Sequence, residues 1–223
     1  MSEQEKRAAP DAYHRWYYDQ GVWEQVKWQG VPCLKSVVDL WNYQEIIADL
    51  KPALIVEFGT RHGGSALFFA AVGGLARPDC RVFTVDIETG GLHPAVTAHP
   101  AIEVFRASST DAAVTQRIRD LRERTEGAVF AILDSDHGKE HVLAEMLALR
   151  DVLREGDYLV VEDGNINGHP VLPGWGEGPW EAIAEYTKRF PDDYRRDIER
   201  ERLFGFTFAP RGYLRRVGNV QRS

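Results

Sequence analysis

The chain has 223 residues, 43% of them hydrophobic and 27% charged, with a net charge of −7 and a pI near 5.5, so it can bury one core and is short for two. Its 20 Gly and 11 Pro are too few for collagen or low-complexity sequence, and its dispersed basic residues give no footprint for nucleic acid or an anionic membrane, which points to a small-molecule partner. No apolar stretch reaches the ~20 residues of a spanning helix; the polar N-terminus and two cysteines without metal-like spacing, Cys33 and Cys80, predict a reducing, cytoplasmic setting.

Residues 1–50 predict a helical segment that is part of one domain with residues 51–217. Its aromatics, Tyr13, Trp16, Tyr17, Tyr18, Trp23, Trp28, Trp41 and Tyr43, would cover the ligand edge or make an oligomer contact, and on spacing alone most of them read as core. From Ala53 on, short runs rich in Val, Ile and Phe alternate with helical patterns, which is how βαβ units read. The strands are ALIVEF (53–58), RVFTVD ending on Asp86, IEVFRA (102–107), AVFAILD ending on Asp134, and DYLVVED ending on Glu162 and Asp163. Between them lie the small-residue helix SALFFAAVGGLA, a polar helix over 111–124, and a helix over 140–154 with Val142, Met146, Leu149 and Val152 on one face. A loop dense in Gly, Pro and Asn follows Asp163 and predicts a lid carrying Trp175 and Trp180. A helix over 180–190 and two antiparallel strands, 194–200 and 204–210, complete the reading: a doubly wound α/β sheet, mostly parallel, with a C-terminal antiparallel strand.

Ligands of such sheets bind beyond the carboxyl ends of the strands, and here those ends are acidic. The first closes as Glu57-Phe58-Gly59-Thr60-Arg61-His62-Gly63-Gly64-Ser65, whose glycines let backbone approach a ligand. It is neither G-x-G-x-x-G nor a P-loop, which disfavours NAD and nucleoside triphosphates. Asp86 at the second strand end suits the two hydroxyls of a ribose, so the pair of features points to an adenosine-bearing ligand. Asp134-Ser135-Asp136-His137 and Glu162-Asp163 close neighbouring strands ~5 Å apart, converging up to four carboxylates with no Lys or Arg in the motif. Oxygen donors with at most one imidazole match Mg²⁺ better than zinc, although Asp136 or Asp163 could instead cap a helix or open a loop. His137 is placed to take a proton, with a metal ligand or a loop cap as its rival role. His62, His141 and His169 have no such placement, and a surface position is the commoner outcome for His141.

The segments KPALIVEFGTRHGGSALFFA, ILDSDHGKEHV and YLVVEDGNINGHPVLPGWGEGPWEAI, with DLWNYQEII ahead of them, resemble the class I S-adenosylmethionine (SAM) dependent methyltransferases. Within these the likeness, over most of residues 30–190, is to the cephalosporin hydroxylase/rhamnosyl O-methyltransferase family and to the macrolide-sugar O-methyltransferases. The resemblance implies a Rossmann-like sheet in which Glu57, Gly59, Thr60, Gly63, Gly64 and Ser65 hold the methionine part of the cofactor. It places Asp86 on the ribose, Ser108 and Ser109 on the adenine side, and Asp134 beside the cofactor. It implies a Mg²⁺ site drawn from Asp134, Asp136, Glu162 and Asp163, with the choice between Asp134 and Asp136 open, and His137 as the base acting with Asp134. The expectation is a Mg²⁺-dependent O-methyltransferase and homo-oligomer acting on a hydroxyl of a small natural product, a sugar or a phenol, in secondary metabolism. A hydroxylase-associated component and a non-catalytic cofactor-binding partner are the alternatives; the extra N-terminal domains of the macrolide-sugar enzymes have no counterpart in the sequence.

Overall fold

A computed structural model of the chain describes residues 3–218. Helix α1 (Glu3–Asp19) leads through a 3-10 turn to a small hairpin, β1 (Lys27–Trp28) and β2 (Val31–Pro32), and then to α2 (Val37–Leu50). Beyond it run β3 (Leu54–Phe58), α3 (Gly64–Ala76), β4 (Arg81–Asp86), α4 (Pro94–Thr97), β5 (Ile102–Arg106) and α5 (Ala112–Glu123). The rest comprises β6 (Val129–Leu133), α6 (Lys139–Arg150), β7 (Tyr158–Val161), α7 (Pro179–Arg189), β8 (Tyr194–Arg196), α8 (Ile198–Arg202) and β9 (Tyr213–Arg216).

The larger sheet has seven strands in the order β5-β4-β3-β6-β7-β9-β8. Pairings among β3 to β7 are parallel, and β9 runs antiparallel to both β7 and β8, which is the doubly wound, mostly parallel α/β sheet that the apolar runs predict. Every residue of β3, β6 and β7 is buried, as strands covered by helices on both faces require. Side chains alternate between the two cores: Ile55, Phe130 and Val160 enter one, Val56, Ala131 and Leu159 the other. The chain builds outward through β4 and β5, then returns to add β6 on the other side of β3. Loops leaving β3 and β6 therefore diverge, and a crevice opens between them at their carboxyl ends. At the opposite end Asp157 ties β6 to β7, accepting hydrogen bonds from the Val129 amide at 2.7 Å, the Arg154 amide at 2.8 Å and the Arg122 guanidinium at 3.2 Å.

Three expectations change. The strand expected over 204–210 is a loop, because Asp39 on α2 takes the Phe208 N–H at 2.8 Å and Thr207 Oγ1 takes the Ala209 N–H at 2.9 Å; those backbone groups need no ladder, and Phe206 and Phe208 pack against Tyr17. The last strand is β9 instead. The strand expected over 194–200 stops at Arg196, where Asp197 caps α8 by accepting from the Arg200 amide at 3.3 Å. The front is interrupted by the hairpin, and of its aromatics Tyr17 and Tyr43 are buried, Tyr18, Trp23 and Trp28 half-buried, and Tyr13, Trp16 and Trp41 exposed. Among the described residues, no helix is long and apolar enough to cross a membrane.

Candidate active site

A cleft of about 520 Å³ opens beyond the carboxyl ends of β3, β4, β6 and β7. Gly59, Thr60, Ser65, Asp86, Ser108, Ser109 and Asp134 line it, whereas Glu57, Gly63 and Gly64 do not. Gly59 turns the chain away from β3 at φ +95°, and a Cβ there would stand 1.9 Å from the Asp134 carbonyl oxygen. At Gly64 a Cβ would meet the Pro32 carbonyl at 2.3 Å, so β2 lies directly on the start of α3. Glu57 is fully buried; its Oε2 accepts from the Thr84 hydroxyl at 2.7 Å, and Thr84 in turn meets Thr60 Oγ1 at 2.6 Å. Its Oε1 has no hydrogen-bond partner among the described residues. Burial pushes the Glu57 carboxyl up to about 7. Asp86 is oriented by two backbone amides, Arg61 N at 2.8 Å and Glu88 N at 2.9 Å, which leaves lone pairs on both oxygens for a ligand.

At another part of the cleft Ser109 Oγ lies 2.9 Å from His141 Nε2, and Ser135 donates to the fully buried Glu145 at 2.5 Å. His141 thus faces the cleft rather than the surface. The signal for it was present, since His141 follows one helical turn after His137, where the first turn of α6 points at the strand ends. Glu145 carries no motif in the sequence that marks it out from other helix residues.

The acidic strand ends do converge, but around a cation that the motifs did not reveal. Lys35, 1% exposed, places its Nζ 2.5 Å from Asp134 Oδ2 and 2.6 Å from Glu162 Oε1. His137 Nε2 stands 3.1 Å from Asp163 Oδ2 and 3.7 Å from Asp134 Oδ1. Donor atoms of Asp134, His137 and Asp163 all lie within 4.8 Å of one another, a grouping able to hold a metal ion. Glu162 and Asp136 are outside that grouping: the first faces Lys35, and the second is exposed, its Oδ1 accepting the Gly138 amide at 2.7 Å. The charge of Asp163 pushes the His137 imidazole up to about 10, and burial pushes Asp163 itself up to about 6. For Asp134 burial acts upward as the largest single influence, yet the Lys35 ammonium and His137 together outweigh it and the carboxyl is held low.

The loop after β7 does not form the expected lid, for neither Trp175 nor Trp180 lines the cleft. Trp180 is occupied on both faces, with His169 stacked 4.0 Å away and the Arg211 guanidinium 4.3 Å over the ring. Glu181 ties the loop down by accepting from Gly178 N at 2.7 Å and Asn167 Nδ2 at 3.1 Å, with His169 Nε2 also at 3.1 Å. The cleft wall is instead completed by Tyr18, Trp23, Leu34 and Phe208, apolar and aromatic side chains of which three come from the front segment. His62 lines the cleft near Asp86, 3.4 Å from the Gly91 carbonyl.

A profile of the family described as Rhamnosyl O-methyltransferase/CmcI matches residues 20–217. The chain is 51% identical over 207 residues to a rhamnosyl O-methyltransferase of Mycobacterium tuberculosis, covering 93% of this chain and 84% of that one. To the rhamnosyl O-methyltransferase of Mycobacterium leprae it is 52% identical over 204 residues, or 92% and 89% of the two chains. Among solved structures, CmcI with Mg and SAM aligns with a TM-score of 0.71 over 87% of this chain and 78% of that one at 23% identity. CalS11, a TDP-rhamnose 3'-O-methyltransferase of calicheamicin biosynthesis, aligns at 0.55 over 81% and 80% with 19% identity; at such identities both bear on the fold alone. By the family match and the mycobacterial relatives together, the chain belongs to the rhamnosyl O-methyltransferase/CmcI family of SAM-dependent methyltransferases.

Proposed function

We propose that this chain is a Mg²⁺-dependent O-methyltransferase that methylates a sugar hydroxyl, of rhamnosyl type, on a small secondary metabolite. The observation that carries the reading is that one cleft holds both the Gly59 turn with Asp86 and the Asp134, His137, Asp163 grouping. The relatives' activity on rhamnosyl groups favours a sugar over a phenol. In this reading Gly59, Thr60 and Ser65, with Glu57, Gly63 and Gly64 behind them, hold the methionine part. Asp86 takes the ribose hydroxyls, Ser108 and Ser109 the adenine side. The front residues 1–50 work as one domain with 51–217, since Tyr18, Trp23 and Lys35 all reach the site. The exposed Trp16 and Trp41 suit the homo-oligomer expected of a cytoplasmic enzyme.

The donor set fits a hard divalent cation: the carboxylates of Asp134, Glu162 and Asp163 converge there, and the open donors are carboxylate oxygens with one imidazole. Asp134 and Asp163 would hold it, and when bound it would supply positive charge that lowers the pKa of an acceptor hydroxyl. His137, with its pKa at about 10 beside bare Asp163, is a cation at neutral pH; neutralising the acids brings it into the range of a base. Its Nε2 then takes the hydroxyl proton, the oxygen bonds to the methyl carbon as the carbon–sulfur bond breaks, and S-adenosylhomocysteine (SAH) leaves. Trp23 and Phe208 shield the acceptor from water. Among the described residues the metal-compatible grouping has one histidine, which disfavours the iron site of a hydroxylase.

The test is methyl transfer from labelled SAM to TDP-rhamnose and to simple rhamnosides, with SAH titrated calorimetrically in Mg²⁺ and then in EDTA. Labelled sugar with Mg²⁺ and none with EDTA is expected, and a His137→Asn variant should lose ~100-fold or more in kcat while binding SAH normally. Retained turnover in His137→Asn, or no SAH binding in any condition, would overturn the proposal; SAH binding without transfer to any sugar would favour the non-catalytic partner.

A further inference from the structure

Two serines that line the cleft, Ser109 after β5 and Ser135 after β6, stand with their hydroxyl oxygens 3.3 Å apart. Behind them, one turn apart on α6, come His141 and Glu145. Glu145 is fully buried and does not line the cleft. A carboxylate only accepts hydrogen bonds, and Ser135 commits its one proton to Glu145 Oε1 at 2.5 Å. His141 Nε2 lies 3.4 Å from the same oxygen, 2.9 Å from Ser109 Oγ and 3.3 Å from Ser135 Oγ. Facing a buried acceptor, that nitrogen carries a proton, and Glu145 raises the His141 pKa first of all through this hydrogen bond. Both serines and the acid meet one ring nitrogen, so the group is no nucleophile, base and acid chain, which needs both nitrogens.

We propose that Glu145 and His141 are positioning residues that fix the direction of both cleft hydroxyls, so that Ser109 and Ser135 together read the N1 and amino edge of the cofactor's adenine. Ser135, its proton on Glu145, offers the cleft lone pairs only. Ser109 accepts from the His141 N–H and keeps its own proton for the cleft, where Ser135 Oγ at 3.3 Å is a distant competitor. Such an acceptor beside a donor matches adenine, whose amino group donates beside an accepting N1. Hypoxanthine presents the reverse, a carbonyl oxygen beside an N1–H, and would set donor against donor and acceptor against acceptor. The inference rests on the placing of the adenine beside Ser109 given above. The charge of Asp136 also acts on His141, and it remains in every variant below.

The experiment titrates SAH and S-inosylhomocysteine calorimetrically into wild type, His141→Leu, His141→Gln and Glu145→Gln. Wild type should bind SAH about tenfold or more tighter than the inosyl analogue. In His141→Leu the Ser109 hydroxyl is free to turn its lone pairs to the ligand, and the preference should fall about threefold or more. His141→Gln restores an N–H near the place of Nε2 and should keep the preference. Glu145→Gln, whose amide can donate to Ser135, should lose it although Glu145 does not line the cleft. A merely structural role would weaken both ligands together and leave their ratio as in wild type, and that result overturns the proposal. Equal binding of the two ligands by wild type also overturns it and leaves the cofactor reading standing, whereas SAH binding by none of the proteins overturns both. Should Glu145→Gln fail to fold, the two His141 variants decide.

Discussion

Replacing Gly59 by Ala puts a methyl group where the chain has left none. The new Cβ would stand 1.9 Å from the Asp134 carbonyl oxygen, against the ~3.3 Å of a close carbon–oxygen contact, so the ends of β3 and β6 must part by roughly 1.4 Å. Two costs combine. A side chain at φ +95° carries backbone strain of about 1–3 kcal/mol, and the forced separation costs about 1–3 kcal/mol as overpacking. Together, about 2–6 kcal/mol lowers the melting temperature by roughly 5–20 °C in a domain of this size. Gly74 is the matched control: it lies in α3 with open space where a methyl would go and an ordinary φ, so Gly74→Ala should gain about 0.5–1 kcal/mol from helix propensity and melt roughly 1–4 °C higher. Circular dichroism melts of both variants, with an SAH titration of each, check the pair. A Gly59→Ala protein within about 1 kcal/mol of wild type and with unchanged SAH affinity would refute the reasoning.

His14, buried against Phe206 and Phe208 and 3.0 Å from the Asn165 amide nitrogen, is lowered to about 4 by burial and then by Arg15. The unfolded chain protonates it near ~6.5 and the folded chain does not, so stability present above ~6.5 is lost as pH falls toward 4, by about 3 kcal/mol; in urea melts wild type should lose that amount relative to His14→Phe across the window, and parallel curves would refute this. Glu57 acts with the opposite sign: it stays protonated in the fold up to about 7 while the unfolded chain ionises near ~4.3, so stability is lost as pH rises between the two. Glu57→Gln should therefore gain on wild type by about 3 kcal/mol from pH ~4.3 to above 7, and each difference must be read against wild type because the two slopes oppose. Asp157→Ala removes the acceptor of two buried amides and of Arg122, costing about 3–5 kcal/mol in a urea melt; a loss under about 1 kcal/mol would contradict the β6–β7 tie. Trp23→Ala should raise the acceptor KM roughly 3- to 10-fold with SAH affinity unchanged, and an unaltered KM would remove Trp23 from the acceptor wall.

The sheet was legible because its strands are covered on both faces and read as unbroken apolar runs, and because each strand end carries its polar residues where the chain leaves the core. Phe206 and Phe208 misled for a related reason. They are buried like strand residues, but the partner that satisfies the Phe208 N–H is the Asp39 side chain of α2, well over a hundred positions away, and no local pattern encodes it. Lys35 was hidden in the same way. In the segment Pro32-Cys33-Leu34-Lys35-Ser36 nothing distinguishes it from a surface lysine, and only the folding of the front segment onto the strand ends brings it to acids that local spacing had shown without a counter-charge. The lid expectation failed because a Gly-rich, Pro-rich loop can be fastened by a single acid, here Glu181, as well as left free to swing.

That fastening has a kinetic consequence. Trp180 is clasped between His169 and Arg211, and Glu181 bonds back to both ends of its loop, so this loop is fastened outside the cleft and does not close over it. Exchange of reactants and products then passes through a standing doorway, and their residence is governed by the contacts each makes inside. A large acceptor can leave part of itself outside the protein throughout the reaction, and acceptors that differ only in that outer part should turn over at similar rates.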